Sequence, residues 1–205
     1  MNDCYFTIVQ AARAETKVKG SRFIAEVALV KDAAGAKEFL ESVCKREYEA
    51  THHCFAYQLG TDSNIEFKYS DDGEPNGSAG KPIYDCIKGR KLTNTIVVVT
   101  RYFGGTKLGT GGLLRAYSEA ALLALEKAGK KTNYITDSIR LTIEFSFYDR
   151  ILKVIEKLEA QQTESDFSEK VSMTVLIRKS LTEQFVRELT DISRGTAQIE
   201  KQENA

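Results

Sequence analysis

The densest chemistry in the chain lies between Arg101 and Arg115. Five glycines (Gly104, Gly105, Gly109, Gly111 and Gly112) fall within nine residues, with the cations Arg101, Lys107 and Arg115 around them. Glycine is costly in chain entropy, so such a run marks backbone that takes positive φ angles or is approached closely. Thr110 is placed to cap a helix whose first residues are Gly111 and Gly112. Their N–H groups, uncovered by side chains, would lie at the positive end of the helix dipole, where a phosphate or carboxylate can bind. A tight connection that needs glycine only for packing is the competing reading, and the three cations favour the anion site. The loop does not fit the nucleotide motifs. Gly104 to Gly109 has the Walker A interval, but Thr110 stands where lysine is required, and no G-x-G-x-x-G can be read.

A second group comprises His52, His53, Asp71, Asp72 and Glu74. Adjacent residues of a strand point to opposite faces, so the two histidines do not readily share a metal or substrate. One of them with the acidic loop can form a metal or acid–base site. Hydrogen-bonded structural histidines beside an acidic turn are the simpler reading. No Gly-x-Ser-x-Gly elbow, H-E-x-x-H pair or cysteine-nucleophile context is present. No catalytic residue, metal ligand or cofactor is therefore assigned. Arg101 either pairs internally with Asp71, Asp72 or Glu74, which is the favoured reading, or reaches an external anion.

The elements that must position these residues follow from hydrophobic periodicity. Ile96–Val99 is apolar on both alternating faces, as suits a strand covered on two sides. After Leu113 an Ala/Leu-rich run with a narrow polar stripe (Arg115, Glu119, Glu126) predicts a mostly buried helix. Upstream, strands are predicted at Tyr5–Val9, Ser21–Val30, His52–Leu59 and Ile65–Tyr69, with a helix capped by Asp32 and a short one after Pro82. From Ile139 to Phe147 apolar and polar residues alternate, predicting a strand. A helix capped by Asp149, a hairpin over Thr163–Ile177, a helix opened by a Ser180/Glu183 capping box and a last strand at Ala197–Ile199 follow. That order, β-α-β-β-α-β, is ferredoxin-like. The expected class is α+β in two domains, 1–132 and 136–205.

Composition sets the outer bounds. Of 205 residues, 42% are hydrophobic and 28% charged, ordinary for a globular chain with a real core. No apolar run is long enough to span a bilayer, and the first residues lack a basic region followed by an apolar core. Four scattered cysteines are expected as free thiols, and a cytoplasmic location is expected. The zero net charge hides a segregation. Lys81–Lys131 holds ten Lys/Arg against three Asp/Glu, a basic block that favours an anionic partner.

Several separated motifs resemble the YigZ/IMPACT family: Val97–Gly109, Lys19–Ala25, the histidine pair before Cys54-Phe55-Ala56-Tyr57, Ser70–Pro75 and Gly80-Lys81-Pro82. The resemblance covers about residues 15–130, and the remainder is similar to the C-terminal domain of bacterial members. It implies a first domain like the second domain of a small-subunit ribosomal protein, a fold shared with domain IV of elongation factor G. It implies a second domain like domain V of that factor. It further implies binding to RNA or the ribosome and a role in translational regulation; the expected function is a non-catalytic regulator of translation whose partner is RNA, the ribosome or a translation-control protein.

On these grounds Arg101, Gly104, Gly105, Lys107, Gly111, Gly112 and Arg115 are assigned as the nucleic-acid or anion-binding set, with Lys81, Lys88, Arg90 and Lys91 broadening the field. His53, Asp71, Asp72, Glu74 and Lys81 form a further candidate surface. The alternatives are a protein-docking regulator without nucleic acid, and a small-molecule hydrolase using the His52/His53 and Asp71/Asp72/Glu74 region. Neither a membrane nor a small-molecule substrate is an expected partner.

Overall fold

The computed structural model describes residues 3–61 and 64–202. It divides into two compact units, one over Tyr5–Asn133 and one from Tyr134 onward together with Asp3 and Cys4.

The first unit contains β1 (Cys4–Thr7), β2 (Ala12–Val18), β3 (Ser21–Leu29), α1 (Ala33–Arg46), β4 (His52–Leu59), β5 (Glu66–Ser70), α2 (Gly80–Gly89), β6 (Thr95–Tyr102) and α3 (Thr110–Ala128). β7 (Lys131–Tyr134) pairs with β1 in a small two-stranded sheet. The main sheet has the order β2-β3-β6-β4-β5, antiparallel at every pair.

β6 is its centre, buried along its length up to Arg101. Val97 and Val99 join Phe23, Ala25, Cys54 and Ala56 in a core closed by Ile83 and Ile87 of α2 and by Leu113, Tyr117 and Leu125 of α3. Ile96 and Val98 point the other way, into a second core completed by Ala36 and Val43 of α1. A continuous β-branched run is what a strand with two buried faces requires, and each fully buried residue of this size contributes about 1.5–3 kcal/mol. Asp32 caps α1, its Oδ1 accepting from Gly35 N at 2.7 Å.

Three expectations are corrected in this unit. β2 was not expected, because Arg13, Glu15 and Lys17 alternate with small or polar partners on an edge strand that buries only Ala14. The first strand stops at Thr7 rather than Val9. The N-cap of α3 is Gly109 rather than Thr110, which is the first helical residue.

The second unit contains β8 (Thr136–Ile143), α4 (Tyr148–Lys157), β9 (Gln161–Phe167), β10 (Val171–Arg178), α5 (Thr182–Ser193) and β11 (Gln198–Gln202). Its sheet has the order β11-β8-β10-β9, antiparallel throughout, and the unit is ferredoxin-like. Ile139, Leu141 and Ile143 of β8 and Val171, Met173, Val175 and Ile177 of β10 share one face, covered by Ile151 and Ile155 of α4 and Phe185 and Leu189 of α5.

Here too the periodicity overshoots at the ends. Phe145–Phe147 is a 3-10 turn, not the end of the strand, and Asp149 lies within the first turn of α4. Ser180 does not cap α5. Its backbone N and hydroxyl both donate to the Asp3 carboxylate, and Leu181 holds the cap position.

Candidate functional site

Odd-numbered residues of β6 face α2 and α3, and Arg101 is the last of them. The register sets Arg101 beside Phe23 on β3 and His52 on β4. A guanidinium cannot be left unpaired in that core, and the acidic loop between β5 and α2 supplies its partner. Arg101 Nη1 donates to Glu74 Oε1 at 2.6 Å, with both side chains almost wholly buried. Tyr117 Oη of α3 donates to the same oxygen at 2.8 Å. Nη2 reaches Ser21 Oγ at 3.4 Å, the guanidinium lies over the rings of Phe23 and Phe103, and Nε has no partner. Of the three acids expected opposite Arg101, Glu74 is the one it meets.

The rest of the loop is built to deliver Glu74. Asp71 Oδ1 accepts from Ala79 N (2.9 Å) and Gly80 N (2.8 Å), and Oδ2 accepts from Gly77 N (2.8 Å). Asp71 thus caps α2 from nine residues upstream, with both carboxylate oxygens engaged. Asp72 takes φ +44°, and its Oδ2 accepts from His53 N at 2.6 Å. The next residue, Gly73, takes φ +84° beneath the His52 ring.

The histidines turn apart as alternation requires. His52 Nδ1 lies 2.7 Å from the carbonyl of Asp72, its Nε2 3.9 Å from Glu74 Oε1, and His53 Nε2 3.1 Å from the carbonyl of Glu47. No group of three or more His, Cys, Asp or Glu among the described residues can hold a metal ion. Burial pushes the Cys54 thiol up to about 12, and burial followed by the neighbouring Cys54 and Glu74 raises the Tyr117 phenol. Both stay protonated, so Tyr117 acts as a donor to Glu74.

The glycine loop separates into two kinds of glycine. A Cβ on Gly104 would lie 1.9 Å from the carbonyl carbon of Gly20, so two backbones are in contact there. Gly104 N also donates to Ser21 Oγ at 3.2 Å. Gly105 and Gly109 instead supply positive φ angles. Gly111 faces open space, Gly112 packs near Leu108 Cβ, and no side chain caps the first turn of α3. The N–H groups of that turn have no intrahelical partners. Lys107 and Arg115 are exposed beside it, and Arg115 Nε donates to Gly111 O at 3.3 Å.

Two sets of residues emerge in place of one. Arg101, expected among the anion-binding cations, is consumed internally, and Gly104 is a packing glycine. Glu74, expected on a surface, is buried. Gly105, Lys107, Gly111, Gly112 and Arg115 remain together on an exposed loop and helix end. Lys81 is paired with Asp85 at 2.7 Å. Sequence reasoning missed Ser21 and Tyr117. Tyr117 reads as one more apolar position of a buried helix, and Ser21 follows a Lys-Gly turn whose bearing on Gly104 has no local signature.

The fold and loop define a two-unit α+β protein whose first unit matches the Impact N-terminal domain over residues 19–125, while residues 141–196 match a "Domain of unknown function (DUF1949)". The chain is 33% identical to the IMPACT family member YvyE of Bacillus subtilis, over 97% of this chain and 91% of that one. It is also 33% identical to the IMPACT family member YigZ of Escherichia coli, over 89% and 90% of the two chains. A protein IMPACT homolog of Dictyostelium discoideum is 34% identical over 44% of this chain and 27% of its own. A solved structure titled "Crystal structure of an hypothetical protein" superposes over 100% of both chains with a TM-score of 0.68 at 30% identity. The chain belongs to the IMPACT family.

Proposed function

We propose that this protein is a non-catalytic binding protein acting in the regulation of translation, and that it contacts RNA or the ribosome through the start of α3. The observation that carries this reading is the uncapped first turn of α3. Gly111 leaves its backbone open, and Lys107 and Arg115 lie exposed beside it. A phosphate there would accept from the N–H groups of Gly111 and Gly112 and be neutralised by the two cations. Lys88, Arg90 and Lys91 extend the positive field on the same unit. The polar network under the loop supports the reading indirectly. Arg101 and Ser21 hold the strand end and Gly104, so the loop starts from a fixed point.

No catalytic group is assigned: one nitrogen of each histidine ring and both oxygens of Asp71 are engaged by backbone groups. A cytoplasmic location is proposed with it, on the four cysteines present as free thiols. No helix among the described residues is long and apolar enough to cross a membrane.

The test is RNA affinity across a salt series for the wild type and a Lys107→Ala/Arg115→Ala variant. Binding should fall steeply with salt, and each lost phosphate contact should flatten the log–log slope by about 0.7 for single strands. Absence of binding to RNA and ribosomes at low salt would refute the proposal and turn the search toward a protein partner.

A further inference from the structure

β5 ends the five-stranded sheet, and no strand pairs with its outer side among the described residues. Edge strands of stable monomers are usually blunted by shortness, bulges, proline or charged side chains, and β5, though short and carrying Lys68, has neither proline nor bulge. It carries Phe67 and Tyr69 on the α2 side, 51% and 41% exposed, and Ile65, just before the strand, is 49% exposed. Phe67 and Tyr69 stack on Tyr84 of α2, with ring centroids 4.6 and 6.0 Å apart, which holds the three rings as one apolar surface running to the open edge. On the other face the strand presents Glu66 and Lys68. Glu66 accepts from Tyr57 Oη at 3.0 Å, and neither forms an ion pair with another described side chain.

We infer that this edge is the interface with a second copy of the same chain, joined β5 to β5 in antiparallel pairing about a two-fold axis through Phe67. The sequence of the strand selects that register. With Phe67 opposite Phe67, Ile65 meets Tyr69 and Glu66 meets Lys68, each twice. Both faces are then complementary: apolar against aromatic on the α2 side, acid against base on the other. Centring the axis on Lys68 sets Lys68 against itself, and centring it on Glu66 sets two carboxylates opposed. A slip of one residue puts every ring against a charge on the wrong face. The outward N–H and C=O groups of β5 gain partners, and the sheet continues across two copies. This inference is independent of the RNA reading, because the start of α3 is not part of the edge.

The experiment is sedimentation of the full-length chain over a concentration series, with circular dichroism on each variant to confirm the fold. Wild type should dimerise reversibly. Phe67→Glu, a change at an exposed position, should leave a folded monomer. Lys68→Glu alone and Glu66→Lys alone each turn both charge pairs repulsive and should weaken the dimer about tenfold. Mixing those two single variants should restore association as a heterodimer, because every facing pair is again opposite in sign. Wild type that remains monomeric at millimolar concentration overturns the inference. So does a dimer indifferent to Phe67→Glu, or a mixture that fails to restore it. If the monomer instead binds a single-stranded oligonucleotide that Phe67→Glu weakens, the rings are a base-stacking platform and the dimer is refuted.

Discussion

The two units bury different things. The second unit is closed by aliphatic and aromatic side chains, with Asp137 and Ser193 as its buried polar residues among those described. The first buries Arg101, Glu74, Ser21, Gln58, Thr95 and Thr100 beside a much larger apolar core. An apolar core needs only volume and pattern, whereas a buried ion pair must be completed by groups brought from distant elements. In the first unit those groups come from β3, β6, α3 and the loop before α2. The polar network therefore sets a geometry, and that geometry lies directly beneath the glycine loop.

The sharpest way to break this contrast is Glu74→Ala, which strands Arg101 in the core and should destabilise the first unit by about 3–5 kcal/mol in denaturant melts. The paired change Glu74→Leu/Arg101→Met should recover most of that loss while loosening the loop, seen as faster amide exchange at Gly104 and Gly105. A mild effect of Glu74→Ala would mean the pair does not organise the core. In the second unit Phe185→Ala should cost a comparable 3–5 kcal/mol by leaving a cavity, with no polar rescue available. Gly104→Ala should cost about 2–3 kcal/mol, since its Cβ would run into the Gly20 backbone.

A smaller effect concerns acid. Burial alone would raise the Asp137 carboxyl, but hydrogen bonds from Lys201 and Thr182 and the nearby lysines outweigh it and hold it below the usual carboxylate range. Its folded pKa lies below its unfolded one, so its stabilisation is present above the unfolded value and is lost as pH falls toward the folded one. Asp137→Asn should therefore cost about 1 kcal/mol near neutrality, and its stability should converge with that of wild type in acid. The smallest change runs the other way. Gly111→Ala places a methyl in open space within a helix and should stabilise by about 0.5–1 kcal/mol. The opposite signs at Gly104 and Gly111 would separate a glycine held against another backbone from one in open space.

Legibility followed the same division. In the ferredoxin-like unit β8, β10, α4 and α5 were readable because each has one wet and one dry face, so periodicity reports burial directly. The reading failed at Phe145 and Phe147, where the alternation runs on although the backbone has already turned. In the first unit β6 was readable from its β-branched run, but β2 was not, because an edge strand that buries only Ala14 has no hydrophobic period to detect. At the site, Arg101 was conspicuous as a charge in an apolar strand. The choice among Asp71, Asp72 and Glu74 was not legible. It depends on Asp71 turning back to cap α2 and Asp72 binding the β4 backbone, both set by the path of the loop. The close approach of Gly20 to Gly104 spans residues far apart in sequence, and such contacts leave only an unexplained glycine at each end.

The position of β6 bears on how this chain is made. It is synthesised after β2, β3, β4 and β5, yet it lies between β3 and β4. During elongation the β2–β3 and β4–β5 segments are complete first, and β3 and β4 each leave one largely apolar edge open. Until residue 102 has left the exit tunnel, those two edges have only each other, or another nascent chain, to pair with. Chains cut after β5 but before β6, ending between residues 70 and 95, should thus be the most prone to mispairing and the most dependent on chaperones. The last strand to arrive closes the sheet from its middle.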